Sequence, residues 1–199
     1  MRRIASTPVL CLFVCLCMGS SAAQERTTIL ISYYSQQGHT RAMAEAVARG
    51  ARSVSAVTVK LLNVAETTKA DLLAADAIIV GSPVHNANVS AEIVGFIDLW
   101  PFQGAPLRDK IGAAFVTGGG ISAGEELAQL NILHSMLIFG MIVVGGPDWT
   151  SAFGASAITG EPPFEKAATD TTVAQEFVKK GEALGKRVAE LAVRWKRNR

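Results

Sequence analysis

Two hydroxyl side chains and a glycine stand close together in the polar stretch SYYSQQGHTRAM, residues 32–43. Ser35 and Thr40 supply the hydroxyls, Gly38 permits a tight turn, and Thr40 lies where a helix is predicted to begin. Unpaired amides and the positive end of the helix dipole meet at such a terminus, so a phosphate monoester can be bound there without a lysine. Alternatively, Thr40 only caps its helix. The candidate phosphate-binding residues are Ser35, Gln36, Gln37, Gly38, His39 and Thr40.

Two further stretches carry groups that could contact a flat ligand. In GSPVHNANVS (81–90), Pro83 stiffens the chain and polar groups follow it, although a generic polar loop would look the same. In TGGGIS (117–122), three consecutive glycines expose backbone amides and let a ligand approach closely, although a flexible turn is the alternative. The candidate residues are Pro83, Val84, His85 and Asn86 in the first stretch, and Thr117, Gly118, Gly119, Gly120, Ile121 and Ser122 in the second.

The elements that must position these stretches follow from hydrophobic periodicity. Short apolar runs alternate with amphipathic segments, which predicts βαβ units and a doubly wound parallel sheet in one α/β domain, with helices on both faces. Strands are predicted over 27–34, 54–62, 77–83, 110–120 and 141–146. Helices are predicted over 40–53, near 69–76, over 90–100 and 122–140, and from about Thr171 onward. An irregular stretch is predicted over 145–170.

The three candidate stretches follow the first, third and fourth predicted strands. Ligands of open α/β sheets bind outside the carboxyl ends of the strands, so these stretches are expected to form one site. Together they could hold an aromatic heterocycle that carries one phosphate. A receiver domain of the same topology needs clustered acidic residues at the strand ends, whereas the first and third strands here end in tyrosine and glycine. The receiver-domain alternative is therefore rejected.

The amino terminus has the composition of a secretory signal peptide. Arg2 and Arg3 precede an apolar run over 9–18 and then small residues over 19–23. We expect residues 1–23 to direct export, to a periplasm or to a secretory or extracellular space, and residues 24–199 to form the domain. An uncleaved membrane anchor is the alternative. Without the leader the chain keeps 17 basic and 17 acidic residues and no cysteine. A domain with a formal net charge of zero gives no support for nucleic-acid binding.

Several segments resemble the WrbA-type NAD(P)H:quinone oxidoreductases of the flavodoxin-like superfamily. YYSQQGHT (33–40) is close to that family's phosphate loop, and GSPVHNANVSAEIVGFID (81–98) resembles its second loop and following helix. FGMIVVG (139–145) resembles its fifth strand, and SAFGASAITG (151–160) a late segment. The resemblance spans most of residues 27–195 and implies a flavodoxin-like, five-stranded parallel sheet of order 2-1-3-4-5.

The resemblance also implies a cofactor and a reaction. FMN would be held by its phosphate at 35–40 and by its ring at 83–86 and 117–122, with NAD(P)H as hydride donor and a quinone or another small electron acceptor as substrate. By the same resemblance Trp100, Phe139 and Phe153 are the candidate substrate residues. No metal is implied, and the assembly is a homo-oligomer, either a dimer or a tetramer. A flavodoxin-type electron carrier and a flavin-binding protein without turnover are the alternatives.

Four features depart from the family pattern. Phe139 stands where the family usually has a histidine, and His134, five residues earlier, is not an obvious replacement. Val84-His85-Asn86 replaces the usual Thr-Arg-Phe. The insertion that assists tetramer assembly is absent between Asn63 and Asp76, and a leader precedes the domain. FMN binding is therefore better supported than quinone reduction.

Overall fold

The computed structural model describes residues 26–168 and 172–199, so the predicted leader lies outside the described residues. The described strands are β1 (Thr27–Tyr33), β2 (Val57–Asn63), β3 (Ala77–His85), β4 (Asn88–Val89), β5 (Ile111–Gly118), β6 (Ile142–Val143) and β7 (Ala155–Ile158). The helices are α1 (His39–Arg52), α2 (Lys69–Ala74), α3 (Ala91–Asp98), α4 (Glu125–Ile138) and α5 (Gln175–Arg197). Within these described ranges, every helix is too short or too polar to cross a membrane.

The main sheet is parallel and has the order β2-β1-β3-β5-β6, which confirms the predicted doubly wound α/β architecture. Its fifth position is divided between two short strands. β6 pairs with Ile111 and Gly112 at the start of β5, and β7 pairs with the end of β5 from Phe115 to Gly118.

The predicted fifth strand over 141–146 is therefore too long, and the prediction of an irregular 145–170 missed a strand. The physical reason lies at Gly145 and Gly146. The Gly146 amide donates to the carbonyl of Ser151 (2.8 Å), and a Cβ on Gly145 would lie 1.8 Å from the carbonyl oxygen of Ala152. The chain leaves the sheet at these glycines, turns back on itself and rejoins the sheet as β7.

The two faces of the sheet are buried under two helical layers. Side chains alternate between the faces, so Ile29 and Ile31 of β1 pack under α1 and α5, whereas Leu30 packs under α2, α3 and α4. All three residues are fully buried. Burial of both faces explains why the strands are nearly continuous apolar runs in the sequence. The last helix begins at Gln175, four residues after the predicted start.

The short helix α2 is fixed at its amino terminus by a reciprocal cap. The Asp71 carboxylate accepts from the Thr68 amide (2.9 Å) and from the Thr68 hydroxyl (2.6 Å), and the Thr68 hydroxyl accepts from the Asp71 amide (3.3 Å). Lys60 of β2 also donates to Asp71 (2.5 Å). The bonds from Lys60 and then Thr68 lower the pKa of Asp71 from 3.8 to about 2.

Asp71→Asn is expected to lower the free energy of unfolding at pH 7 by about 1 kcal/mol. This value is smaller than the pKa shift alone would give, because Lys60 is half exposed and solvent screens its charge. Because the pKa of Asp71 is lower in the folded state, its contribution is present above pH 3.8 and is lost as the pH falls through about 2. Urea unfolding of the wild type and of Asp71→Asn, at a series of pH values from 7 downward, measures the difference in their free energies of unfolding. The difference should shrink below pH 4, and a constant difference would contradict the assignment. Asp98→Asn, an exposed site on α3, serves as the control.

Candidate flavin site

The three candidate stretches meet at the carboxyl ends of β1, β3 and β5, around a cleft of about 310 Å³. Hydroxyls, amides, imidazoles and glycine backbone dominate its walls. The residues that line it are Gln36, Gln37, His39, Thr40, Pro83, Val84, His85, Thr117, Gly118, Gly119 and Thr159. The structure therefore brings the three loops to one edge of the sheet, as parallel strands require. Thr159 was missed by the sequence analysis because β7, which delivers it, was not predicted.

The first loop is organised by Ser35 and leads into the amino terminus of α1. The Ser35 hydroxyl accepts from the amides of Gly38 (3.1 Å) and Arg41 (3.2 Å). Gly38 has φ 94°, a left-handed conformation that favours glycine, and it is the residue that caps the helix. The alternative in which Thr40 only caps α1 is wrong, because Thr40 lies inside the helix.

Thr40 instead connects the first and third loops. Its side chain is 2% exposed, and its hydroxyl lies 2.7 Å from the hydroxyl of Thr117 at the end of β5. Each hydroxyl can donate one hydrogen bond and accept two, so this buried pair keeps capacity for a further partner in the cleft. An anion at the start of α1 would meet this pair together with the helix terminus.

Thr40→Val keeps the shape of the side chain and removes its hydroxyl. We expect FMN to bind about tenfold more weakly, because one hydrogen bond to a charged group is lost. Fluorescence titration with FMN and with riboflavin, which lacks the phosphate, separates the two ends of the cofactor. Riboflavin affinity should stay near that of the wild type. An equal loss for both flavins would place the effect away from the phosphate.

The second stretch is an ordered β-hairpin rather than an irregular loop. β3 continues to His85 and turns back through Asn86 and Ala87, with φ of 49° and 60°, into β4. Two successive left-handed residues are characteristic of the turn that matches the twist of paired strands. Pro83, Val84 and His85 therefore line the cleft from a strand, whereas Asn86 lies in the turn beyond it.

The third stretch runs from the end of β5 to α4 and is packed against both neighbours. Gly124, with φ 98°, precedes α4, and a Cβ there would lie 2.6 Å from the Cα of Ala87 at the hairpin tip. On the other side, the amides of Thr159 and Gly160 donate to the carbonyls of Gly118 (3.0 Å) and Gly119 (2.9 Å). These contacts hold the glycine stretch at a fixed position beside the cleft.

Glu161 is a further residue that the sequence analysis missed. Its carboxylate accepts from the Ile121 amide at 2.6 Å, and a Cβ on Gly120 would lie 2.9 Å from the same carboxylate oxygen. The third stretch is therefore divided. Gly118 and Gly119 face the cleft, whereas Ile121 and Ser122 line a separate depression of about 360 Å³ at the start of α4.

The candidate substrate residues do not line this cleft. Trp100 is 4% exposed and packs against Phe139, with ring centroids 5.3 Å apart, in an aromatic group on the α3 and α4 side of the molecule. Phe153 precedes β7, whereas Thr159, which lines the cleft, follows it. The four residues of β7 lie between these two positions and span roughly 13 Å. The predicted substrate roles of all three aromatic residues therefore have no support from the geometry of the cleft.

A polar pair, Tyr34 directly after β1 and Glu92 in α3, lines a separate cavity. The Tyr34 hydroxyl donates to the carboxylate of Glu92 at the start of α3, and this bond raises the pKa of Tyr34. The pKa of Glu92 is lowered, first by its own backbone amide and also by the bond from Tyr34. Both residues line a different cavity, of about 570 Å³, together with Asn63, Thr67 and Lys69. The carboxylate of Glu92 is thus kept outside the cleft.

The residues of the cleft suit FMN. Its polar end combines a helix amino terminus, two hydroxyls and two glutamine side chains, a donor set for phosphate that contains no carboxylate. At its other end a Cβ added to Gly119 would meet no atom within 4 Å, so there is open space against bare backbone where a flat ring can lie. Pro83 and Val84 supply apolar contacts to such a ring.

Comparison with known proteins agrees with this site. The family model of the NADPH-dependent FMN reductases matches residues 65–156. A flavodoxin of Aquifex aeolicus is 38% identical over 148 residues, which is 69% of this chain and 77% of that protein. An NAD(P)H dehydrogenase (quinone) of Azorhizobium caulinodans is 36% identical over 161 residues, which is 68% of this chain and 79% of that protein.

Solved structures share the fold. A WrbA-like flavodoxin from Agrobacterium tumefaciens superposes with a TM-score of 0.67 at 23% identity, over 84% of this chain and 98% of that one. An archaeal flavodoxin gives a TM-score of 0.62 at 24% identity, over 84% and 99%. Sheet order, cleft and sequence similarity lead to one conclusion: the chain belongs to the FMN-dependent family that includes the flavodoxin and the NAD(P)H dehydrogenase (quinone) described above, and it has the flavodoxin-like fold.

Proposed function

We propose that this protein reduces quinones by two electrons at the expense of NAD(P)H, through FMN bound in the cleft. The balanced reaction is NAD(P)H plus a proton plus quinone, giving NAD(P)⁺ and hydroquinone. The observation that supports the proposal is the cleft itself, with a polar end at α1 whose donors suit a phosphate and a bare glycine wall at Gly118 and Gly119. Relatives 36% identical to this chain bear the name NAD(P)H dehydrogenase (quinone), which supports the substrate class.

When bound, FMN supplies the redox chemistry, because its ring can take up two electrons from a nicotinamide and deliver them to a quinone. The residues of this chain have the tasks of binding and orientation. Thr40, Thr117 and the start of α1 would fix the phosphate, which sets the position of the whole cofactor. The backbone at Gly118 and Gly119 would support the ring edge without covering it with side chains.

His85 is positioned for a role towards a charged ligand. It is the last residue of β3, lines the cleft, and is held in register by its pairing with Asn88. The usual family pattern has an arginine at this point, and an imidazole can replace part of its function when protonated. The other imidazole of the cleft, His39, is the first residue of α1. Hydride transfer through a flavin does not require either as an acid or base.

An electron carrier of the flavodoxin type is the second candidate, since a flavodoxin is among the relatives. Such a carrier needs a docking surface for protein partners and no pocket for a small substrate. The neutral balance of 17 basic and 17 acidic residues outside the leader argues against it, because carriers of this type tend to be acidic. A flavin-binding protein without turnover is the third candidate; the departure from the usual family histidine at Phe139 suggests it, but Phe139 lies outside the cleft.

The proposal is tested in two stages with the purified protein. Incubation with FMN, desalting and an absorbance spectrum first establish whether flavin is retained. Steady-state oxidation of NADH and of NADPH is then followed with and without a water-soluble benzoquinone. We expect retained flavin and quinone-dependent oxidation of one or both nucleotides.

Each other outcome selects an alternative. Retained flavin that accepts electrons from a flavodoxin reductase, with no quinone turnover, favours the carrier. Retained flavin with neither reaction favours a binding protein. A folded protein without flavin would remove the basis of the enzyme proposal. The Gly119→Val variant is the matched control, because activity that survives loss of the cofactor must come from a contaminant.

We also propose that the protein is exported, on the basis of the amino-terminal pattern described above. In that case the nicotinamide donor has to be available outside the cytoplasm, or another reductant of FMN replaces it. Fractionation of expressing cells, with mass determination of the purified chain, tests export and cleavage near residue 23 together. A full-length chain in the cytoplasmic fraction would refute export, and a full-length chain in the membrane fraction would favour the anchor.

A further inference from the structure

Glu161 continues the pairing that holds the glycine stretch beside the cleft. Two bonds between backbone groups, donated by Thr159 and Gly160, tie residues 118 and 119 to the segment after β7. Beyond them the Ile121 amide donates to the Glu161 carboxylate at 2.6 Å, so the next bond of the series ends on a charged side chain. Hydrogen bonds to charged groups are about twice as strong as neutral ones. This end of the stretch is therefore held by a charged group.

The backbone around Glu161 gives its carboxylate a fixed origin. The Glu161 carbonyl accepts from the amides of Phe164 (2.9 Å) and Glu165 (3.2 Å), which closes a turn directly after it. Pro162 and Pro163 lie inside this turn, and each proline ring restricts its own backbone to a narrow range of φ. The Glu161 residue is half-buried, and within the described ranges no basic side chain forms an ion pair with it. Its charge is thus held in place without a compensating cation.

The Glu161 carboxylate lies close behind the wall of the cleft. Its oxygen would be 2.9 Å from a Cβ on Gly120, and Gly120 directly follows Gly119, which lines the cleft. One Cα–Cβ bond and one step between consecutive Cα atoms place the oxygen within roughly 8 Å of the Gly119 Cα. A flat ring in van der Waals contact with Gly119 would then lie within roughly 12 Å of the charge. Among the described residues that line the cleft none is acidic, so Glu161 adds a negative charge from behind the glycine wall.

A fixed negative charge at this distance acts on the oxidation state of a bound flavin. Two-electron reduction near neutral pH leaves the flavin ring more negative than the oxidised ring, and charge near the ring is one means by which a protein tunes its cofactor. A carboxylate nearby disfavours the more negative form, because like charges repel. At an effective dielectric constant of about 20, one unit charge at roughly 12 Å changes an equilibrium constant about tenfold. Partial exposure to solvent and salt reduces this effect.

We propose that Glu161 is a positioning residue of the cofactor site and that it also lowers the reduction potential of bound FMN. Its bond from the Ile121 amide fixes the glycine stretch, and its charge makes reduced FMN release electrons to an acceptor more readily. Gly118 and Gly119, which form the wall itself, carry no side chain that could do this. The inference rests on the proposed binding of FMN in the cleft and is independent of which acceptor takes the electrons.

Three variants of Glu161 separate the effect of the bond from the effect of the charge. Glu161→Gln keeps an oxygen that can accept from the Ile121 amide and removes the charge. Glu161→Asp keeps the charge but is one carbon shorter, which weakens the bond. Glu161→Ala removes both. Glu176→Gln is the matched control, because it removes the same charge at an exposed position in the first turn of α5, outside the lining of the cleft. Circular dichroism confirms folding of each variant.

The affinity for FMN and its reduction potential are measured separately. Fluorescence titration gives the dissociation constant of oxidised FMN, and slow anaerobic reduction in equilibrium with a reference dye gives the two-electron potential. For Glu161→Gln we expect a dissociation constant within about twofold of the wild type, and reduced FMN favoured about three- to tenfold, equal to a potential about 15–30 mV higher. Glu161→Asp should keep a potential close to that of the wild type. Glu161→Ala should show the higher potential together with about tenfold weaker binding.

Each part of the inference has a result that would overturn it. An unchanged potential in Glu161→Gln, or an equal rise in Glu176→Gln, would exclude a specific effect of the Glu161 charge. Full FMN affinity in Glu161→Ala would exclude the positioning role. A wild type that retains no FMN would overturn the cofactor site and this inference together. Failure of quinone reduction is a separate result, because neither measurement contains a quinone or a nicotinamide.

Discussion

Gly119→Val is expected to abolish FMN binding while leaving the protein folded. A Cβ at this position would meet no protein atom within 4 Å, so the valine side chain has room in the free protein. The same space is where the proposed ring lies against the backbone, and two branches of valine would fill it. We expect the dissociation constant for FMN to rise by at least about 100-fold, and the flavin absorbance to be lost on desalting.

Two control variants test whether the loss of FMN binding comes from side-chain bulk at position 119. Gly119→Ala adds one carbon and should give an intermediate affinity. Gly95→Val adds the same side chain at a helical glycine of α3 that also has open space around it, so it should retain FMN. Full FMN affinity in Gly119→Val would show that the ring does not approach the glycine stretch. The assignment of the cleft would then be wrong.

Gly124→Ala is expected to destabilise the protein and to disturb the site at the same time. The backbone at Gly124 has φ 98°, which an alanine adopts only with strain, and its Cβ would lie 2.6–2.8 Å from backbone and side-chain atoms of Ala87. Strain and overlap together should lower the free energy of unfolding by about 3 kcal/mol. Because Ala87 forms the tip of the hairpin, His85 and Val84 should also shift, and FMN should bind more weakly.

Urea unfolding and flavin titration of the same preparation measure both consequences. Gly95→Ala is the matched control, because it replaces a glycine inside α3 where a Cβ meets no atom and the backbone is helical. It should be neutral or stabilise the protein by up to about 1 kcal/mol. A Gly124→Ala variant as stable as the wild type would show that the hairpin tip moves freely away from α4.

Much of the fold was predictable because its signals are local. The apolar runs and their alternation with amphipathic segments indicated the strands, the helices and the parallel sheet. Errors arose where tertiary pairing overrides the local pattern. β4 has two residues and exists because β3 turns back at Asn86 and Ala87, and β7 exists because β5 offers an unpaired edge beyond Gly112. Neither strand has a periodicity of its own that could be recognised.

The candidate site likewise combines features that local sequence patterns predict with features that depend on tertiary packing. The three stretches, and the edge of the sheet at which they meet, were predictable from the sequence, since the order of elements along the chain dictates which strand ends come together. Packing between distant segments brings Thr40 against Thr117, adds Thr159 to the cleft and keeps Trp100, Phe139 and Phe153 outside it. Contacts of this kind join residues far apart in the chain. They depend on packing, which hydrophobic periodicity does not encode.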